Sequence, residues 1–188
     1  IYRTTKGNKE FREIMQTGLE CIGNIGIYEV AEVLLLALKS LESITNDFVL
    51  DISYMDIILS VLSDAGLDNT QNQKILKAIG EKNTDEIKKL CAEASIDSDR
   101  IVSLVTINGK YSSVIEKLEK LCVTYNEKAH LNSFKKILSF ICSLGYEDKV
   151  NIDFSIVNNM NYYNGVVFQG YVNKIPSSIL SGGQYDNL

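Results

Sequence analysis

Hydrophobic residues recur at helical spacing through the middle of the chain and at alternate positions towards both of its ends. In the middle, apolar residues three and four positions apart predict five or six short helices between residues 54 and 146, with no strand. The last of these helices carries Leu131, Phe134 and Leu138 on one stripe. It is expected to end at Gly145, because glycine readily adopts the left-handed conformation that terminates helices.

Alternation of apolar and polar residues predicts strands on both sides of this helical part. The predicted strands cover residues 1–4, 11–22, 48–53, 151–156 and 162–172, and another begins at Ile179. The first two form a hairpin around a polar loop. A single helix, with apolar residues spaced from Val30 to Leu41, separates the second strand from the third.

The order of these elements predicts an α+β fold. An antiparallel sheet is expected from residues 1–53 and 147–188, and a helical insertion at residues 54–146 is expected to interrupt it. The change of the apolar period from two to helical spacing, and back again, places both boundaries. The chain is therefore predicted to be a sheet domain that carries a large insertion.

Composition and charge exclude several classes of protein. Hydrophobic residues make up 45% of the chain and proline occurs once, which excludes a disordered or collagen-like chain. The net charge is -5 and no segment is basic, which argues against a nucleic-acid-binding surface. No run approaches the roughly 20 apolar residues of a membrane span. The chain begins with Ile1 rather than Met, so we expect a fragment of a longer protein.

The cysteines and the histidine indicate no metal site and no catalytic cluster. Cys21, Cys91, Cys122 and Cys142 lack the short spacing of zinc ligands, so we expect free, buried thiols and a cytoplasmic protein. His130 is the sole histidine, which leaves no Ser/His/Asp triad and no second imidazole for a metal. We expect it to be an ordinary helix residue.

Gln16 and Glu20 are candidate ligand-binding residues. They lie four positions apart on the predicted strand 11–22, so both side chains project from one face, and Gly18 leaves open space between them. An amide and a carboxylate above a glycine suit the ammonium and imidazole groups of a small ligand. A solvated outer strand face is the alternative that spacing alone leaves open.

Two further segments combine aromatic residues and glycines. Tyr162 and Tyr163 precede a predicted strand and either pack in the core or line a pocket with a hydroxyl at its rim. Gly182 and Gly183 allow close approach of the backbone to a ligand, and they suit an ordinary turn equally well. Neither segment has the G-x-G-x-x-G pattern of nucleotide-binding proteins.

Three motifs in chain order resemble those of the histidyl-tRNA synthetases, a family of class II aminoacyl-tRNA synthetases. Residues 2–23 resemble motif 2, with R-E-x-x-Q-x-G-x-E starting at Arg12. Residues 158–168 resemble the segment R-G-L-D-Y-Y-T-G-x-x-F, and residues 181–188 resemble G-G-R-Y-D-x-L. The resemblance implies that the sheet is the class II synthetase core. It also implies a histidine-binding site formed by Gln16, Glu20, Tyr162 and Tyr163.

The resemblance implies vestigial nucleotide-site positions at Arg3, Arg12, Asn158 and Gln184. Asn158 and Gln184 each stand where a synthetase has arginine, and Asn161 stands where it has aspartate. Negative charge that develops as histidine attacks ATP would therefore lack its stabilising cations. Loss of these cations, with the histidine-binding groups retained, predicts a histidine sensor rather than an enzyme.

This combination resembles the regulatory subunits of ATP phosphoribosyltransferase, which implies a non-catalytic protein of histidine biosynthesis. Such a subunit pairs with itself and assembles with a short-form catalytic subunit, which depends on it for activity and for feedback inhibition by L-histidine. No cofactor, membrane or nucleic-acid partner is implied. Two alternatives remain open: a histidyl-tRNA synthetase with degenerate motifs, and a structural synthetase-like domain that binds no ligand.

Overall fold

The computed structural model describes residues 2–4, 11–13, 15–157 and 163–185, and for residues 2–4, 11 and 12 it describes the backbone alone. Within these ranges the strands are β1 (Tyr2–Thr4), β2 (Phe11–Glu13), β3 (Phe48–Tyr54), β4 (Asn108–Gly109), β5 (Val150–Asp153), β6 (Asn164–Val172) and β7 (Leu180–Gln184). The helices are α1 (Ile27–Glu42), α2 (Met55–Asp64), α3 (Asn69–Gly80), α4 (Thr84–Glu93), α5 (Asp99–Thr106), α6 (Tyr111–Leu121) and α7 (Tyr125–Ile141).

Five strands form one sheet in the order β4-β5-β3-β6-β7, with β3 at its centre. Ile52 of β3 stands opposite Ile152 of β5 and Phe168 of β6. Three of the four strand pairs are antiparallel, as expected, whereas β3 and β5 run parallel. The difference has a topological cause. The chain between β3 and β5 passes through the helices α2 to α7, and a parallel pair needs such a long crossover.

The two faces of the sheet differ in polarity. Leu50 and Ile52 of β3 are fully buried on one face, where helix α1 packs. Leu41 of α1 lies so close to Gly170 of β6 that a Cβ atom on this glycine would come within 2.8 Å of Leu41 Cδ1. Asp51, between Leu50 and Ile52, projects to the opposite face. That polar face carries Tyr163 and its neighbours.

The helices between β3 and β5 share one hydrophobic core with the sheet. Ile58 of α2, Ile79 of α3 and Phe134 of α7 are all fully buried in it. Helix α7 ends at Ile141 and continues into one π-helical turn, Cys142–Tyr146. Gly145 in this turn has a φ of 88°, which confirms the predicted stop there. The division of the chain into a sheet domain and a helical insertion stays a prediction.

Two strand predictions need correction. The helical part contains the two-residue strand β4, which pairs with the edge of β5. The strand predicted over residues 11–22 is wrong in its second half: β2 ends at Glu13, and residues 15–22 are exposed and belong to no helix or strand. These residues have no partner strand within the described ranges, and extended backbone needs one to satisfy its N–H and C=O groups. The antiparallel pairing of β1 with β2 confirms the hairpin itself.

Candidate functional site

Tyr163 lies directly before β6, half-buried, with its ring against β7. A Cβ atom on Gly183 would come within 2.6 Å of Tyr163 Cδ1, so glycine is needed to leave room for the ring. On the other face of the sheet, Gly182 leaves room in the same way for the ring of Phe168. The two glycines therefore lie within a strand and accommodate two aromatic rings of the protein, which the sequence did not predict.

Gln184 ends β7 opposite Asn164, and its side chain covers Gly165 at the start of β6. Gly165 has a φ of 60°, in the left-handed region that favours glycine, and a Cβ there would come within 2.8 Å of Gln184 Cδ. The register of β6 and β7 is irregular between Asn164 and Val167. The position where the synthetase motif has arginine thus holds a neutral amide, packed on the bulge that follows Tyr163.

Gln16 and Glu20 are both exposed and lie outside the helices and strands. Because they are exposed, they share no buried cavity with Tyr163 in this structure. Tyr162 and Asn158 lie outside the described residues. Convergence of Gln16, Glu20 and the two tyrosines on one histidine-binding cavity therefore stays a prediction.

Arg3 and Arg12 are direct partners across the β1–β2 pair. The hairpin places the backbones of these two predicted nucleotide-site residues side by side. This arrangement confirms the hairpin on which both residues were expected to lie. Their assignment to a vestigial nucleotide site stays a prediction.

A polar cluster, formed by Asp51, Asn151, Gln169 and Tyr171, crosses the face of the sheet that carries Tyr163. Asn151 Nδ2 donates to Asp51 Oδ1 at 2.9 Å, and Tyr171 Oη donates to Gln169 Oε1 at 2.6 Å. Asp51 stands opposite both Asn151 and Gln169 in the register, so these side chains share one face. Burial raises the pKa of Asp51. From the sequence, only the alternation of polar residues along β3 could be predicted. The cluster itself forms only when β5, β3 and β6 lie side by side, which the sequence does not show.

Asp153 lies at the end of β5 and is 5% exposed. Lys82, in the loop between α3 and α4, donates to Asp153 Oδ2 at 2.7 Å, while Ser155 N and Oγ donate to Oδ1. Burial acts to raise the pKa of Asp153, but the hydrogen bonds from Lys82 and Ser155 outweigh it and hold the pKa below its usual value. A lysine from the helical part therefore neutralises a buried carboxylate of the sheet.

A groove of about 500 Å³ opens between α2 and the N-terminal end of α7. Its lining is mostly polar and consists of Asp56, Leu59, Ser60, Ser63, Asp64, Thr124, Asn126 and His130. His130 lies in α7, as predicted, and its Nδ1 is 3.7 Å from Asp56 Oδ2. Asp56 Oδ1 accepts a hydrogen bond from Gly165 N at 3.3 Å. The groove is thus connected, through one carboxylate, to the bulge that follows Tyr163.

Two of the four cysteines are buried as predicted. Cys91 and Cys122 are buried and Cys142 is half-buried, and burial raises the pKa of each of these thiols, that of Cys122 to about 11. Cys21 is exposed, because the strand expected to bury it is absent. In the described part of the chain, no three metal-ligating side chains lie together and no helix is long and apolar enough to cross a membrane.

Comparison with known proteins agrees with the motifs. The sequence profile described as "Histidyl-tRNA synthetase" matches residues 1–188, which is the whole chain. An ATP phosphoribosyltransferase regulatory subunit of Clostridium kluyveri is 30% identical over 194 residues, which cover 100% of this chain and 50% of the relative. The chain therefore spans about half the length of the curated relatives it matches.

Solved structures show the same fold. An ATP phosphoribosyltransferase regulatory subunit/histidyl-tRNA synthetase from Bacillus halodurans superposes with a TM-score of 0.79 at 25% identity, over 87% of this chain and 44% of that one. The HisG:HisZ complex of ATP phosphoribosyl transferase from Thermotoga maritima gives a TM-score of 0.69 at 19% identity, over 87% of this chain and 58% of that one. These matches confirm the predicted α+β, class II synthetase-like fold.

Proposed function

The chain belongs to the histidyl-tRNA synthetase family, and on this basis we propose that it is part of a regulatory subunit of ATP phosphoribosyltransferase in histidine biosynthesis. The subunit has no synthetase activity. A short-form catalytic subunit requires it for activity, and through it histidine exerts feedback inhibition. The name of the Clostridium kluyveri relative, which matches the whole of this chain, supports the proposal.

The observation that carries the proposal is the side chain of Gln184. Gln184 stands at the position where the synthetase motif has arginine, and its side chain packs over Gly165. A carboxamide brings no positive charge to that position. One electrostatic contact to the charge that develops in such a reaction is typically worth about 2.7–4 kcal/mol of barrier. Tyr163 is retained beside it, against Gly183. The site has thus lost a group that serves catalysis and kept one that serves recognition of the amino acid.

Histidine is proposed to bind between Gln16, Glu20 and the pair Tyr162-Tyr163. Glu20 offers a carboxylate and Gln16 an amide to the polar groups of the ligand. Both are exposed, so no packed side chain has to move before they contact it. Histidine inhibits through this site only if it binds the inhibited assembly more tightly than the active one.

The proposed partners are the short-form catalytic subunit and a second copy of the regulatory subunit. L-Histidine is the effector, and no cofactor, membrane or nucleic acid takes part. The proposed location is the cytoplasm, where histidine biosynthesis would supply the effector. The even distribution of charge over a chain of net charge -5 supports the exclusion of nucleic acid.

Reconstitution tests the proposed function. Full-length protein is mixed with the short-form catalytic subunit of the same organism, and the mixture is analysed by gel filtration and by a transferase assay with and without histidine. We expect co-elution, a transferase rate well above that of the catalytic subunit alone, and inhibition by histidine. Failure to co-elute, together with an unchanged transferase rate, would exclude the regulatory role.

Glu20→Gln tests the histidine site within the same assay. The change removes a charge-assisted hydrogen bond, worth about 1.5–3 kcal/mol, so the concentration of histidine for half inhibition should rise roughly tenfold to a hundredfold while assembly survives. Glu93→Gln, at the exposed end of α4, is the matched control and should leave inhibition unchanged. Unchanged inhibition in Glu20→Gln would place the sensor elsewhere, for instance at the boundary with the catalytic subunit.

The alternative is a histidyl-tRNA synthetase with degenerate motifs. The description of the matching family favours it, since that profile covers all of residues 1–188. It predicts histidine- and ATP-dependent aminoacylation by the full-length protein. The regulatory role and the synthetase role therefore differ in whether the protein activates histidine in the absence of any catalytic subunit.

A further inference from the structure

Asp56, the second residue of α2, joins three elements through one carboxylate. Its Oδ1 accepts a hydrogen bond from Gly165 N at the start of β6, at 3.3 Å. Its Oδ2 lies 3.7 Å from Nδ1 of His130 in α7. The side chain is 30% exposed and lines the groove between α2 and α7. A single carboxylate thus connects the helical part to the bulge that follows Tyr163.

The bulge depends on this contact because Gly165 is a buried residue. A buried backbone N–H without an acceptor is unfavourable, and Asp56 provides the acceptor. Gly165 adopts a φ of 60°, in the region that favours glycine. The side chain of Gln184 packs against it and leaves no room for a Cβ atom. The backbone between Tyr163 and Val167 is therefore fixed from two sides: by Gln184 from β7 and by Asp56 from α2.

The position of Tyr163 follows from the bulge. Its ring lies against Gly183, and the residue is separated from Gly165 by Asn164 alone. A change in the backbone direction at Gly165 would tilt the ring away from Gly183. The carboxylate of Asp56 is itself well placed, because the first turn of a helix favours negative charge and because His130 contacts its second oxygen.

We propose that Asp56 is a positioning residue of the histidine site: it holds the Asn164–Gly165 bulge, and thereby Tyr163, in the arrangement that binds histidine, and His130 orients its carboxylate. This inference rests on the proposed function, since it concerns the same site. Asp56 itself does not contact the ligand. Its role is to connect the helical part, through α2 and α7, with the ligand-binding strand β6.

Three variants of the full-length protein test the inference, with histidine binding measured by isothermal titration calorimetry and stability by thermal unfolding. Asp56→Ala removes the acceptor for Gly165 N, so the dissociation constant for histidine should rise about fivefold to fiftyfold. Asp56→Asn keeps an oxygen acceptor at the same position and should stay within about threefold of the unmodified protein. Asp56→Asn removes the negative charge but keeps the acceptor, so normal binding by this variant would show that the hydrogen bond to Gly165 N, and not the charge, is what matters.

Asp47→Ala is the matched control. Asp47 is exposed, and its Oδ2 accepts a hydrogen bond from Asn173 Nδ2 at 2.6 Å beyond the other end of β6. Its removal should leave the dissociation constant unchanged, although it also deletes one bond beside the same strand. If Asp47→Ala and Asp56→Ala raise the dissociation constant for histidine equally, the effect is general destabilisation and the inference is overturned.

Two further outcomes separate this inference from the proposed function. If the unmodified full-length protein, alone or with its catalytic subunit, fails to bind histidine, the proposed sensor and the inference both fail. If the unmodified protein binds histidine and Asp56→Ala binds it with the same dissociation constant, the proposed function stands and the positioning role of Asp56 is wrong.

Discussion

At the residue scale, Arg100 of α5 links α2 and α7, the two helices that border the groove. Its guanidinium donates to Asp64 Oδ2 and to Glu127 Oε1 at 2.5 Å each, and to the backbone oxygen of Leu121 at 3.3 Å. Glu127 is fully buried, and its second oxygen accepts the backbone N–H of Thr124 at the start of α7. Burial acts to lower the pKa of Arg100, but the bonds to both carboxylates raise it above its usual value.

Loss of the Glu127 carboxylate should therefore destabilise the protein. Glu127→Ala leaves Arg100 without a buried partner and the backbone N–H groups of Val123 and Thr124 without their acceptor. We expect the free energy of unfolding to fall by about 3 kcal/mol, the lower end of the range for a broken buried ion pair, because the Arg100 side chain is 33% exposed. Urea unfolding of the full-length protein, followed by far-ultraviolet circular dichroism, measures the change.

The control for this prediction is Glu119→Ala. Glu119 also pairs with a cation, Lys135, but its side chain is 50% exposed. Surface pairs of this kind contribute at most about 1 kcal/mol. If Glu119→Ala and Glu127→Ala lower the free energy of unfolding by the same amount, burial does not make the Glu127 pair the stronger one, and the prediction is wrong.

At the element scale, the strands around Tyr163 depend on glycine as much as on hydrophobic residues. Gly182 and Gly183 of β7 lie under the rings of Phe168 and Tyr163, one on each face. Gly170 of β6 likewise leaves room for Leu41 of α1. Side chains at these positions would separate layers that are in contact. The glycines therefore allow these side chains to pack closely against the strands.

Gly183→Ala tests this dependence. The new Cβ would come within 2.6 Å of the Tyr163 ring, so the ring or the strand must shift, and overpacking of this kind costs about 1–3 kcal/mol. Gly18→Ala is the control for stability, since no atom lies within 4 Å of a Cβ there, and its effect should not exceed about 1 kcal/mol. Thermal unfolding compares the two variants. A Gly183→Ala protein as stable as Gly18→Ala would contradict the packing argument.

At the scale of the whole molecule, the sheet and the helices share one hydrophobic core. Contacts such as Lys82 with Asp153 and Asp56 with Gly165 also join the two parts. The chain spans about half the length of the curated relatives it matches. Activity is therefore a property to be measured on the full-length protein.

The full-length protein is expected not to activate histidine. Asn158 and Gln184 replace two arginines of the synthetase motifs, and two lost electrostatic contacts raise the barrier more than one. Asn158→Arg alone should not restore activity, because Gln184 remains neutral. Exchange of labelled pyrophosphate into ATP in the presence of histidine measures the reaction, with a histidyl-tRNA synthetase as the positive control. Exchange by the unmodified protein at a rate comparable with that control would favour the synthetase alternative.

Local pattern was sufficient for much of the fold and for part of the candidate site. The stripes of the helices, the strand Phe48–Tyr54 and the stop at Gly145 all follow from the spacing of residues close in sequence. The motifs also pointed to Tyr163 and Gln184, which the structure places at neighbouring strand ends. Periodicity is a local property, so it identifies which face of an element is buried without any knowledge of what covers it.

Pairing and contact between distant segments were beyond the reach of that pattern. Residues 15–22 alternate like a strand but form none, because a strand exists only where a partner accepts its hydrogen bonds. The parallel pairing of β5 with β3, the polar cluster around Asp51 and the contact of Asp56 with Gly165 all join residues about 100 positions apart. Such contacts depend on how the elements pack in space, because neither partner carries a local signal for the other.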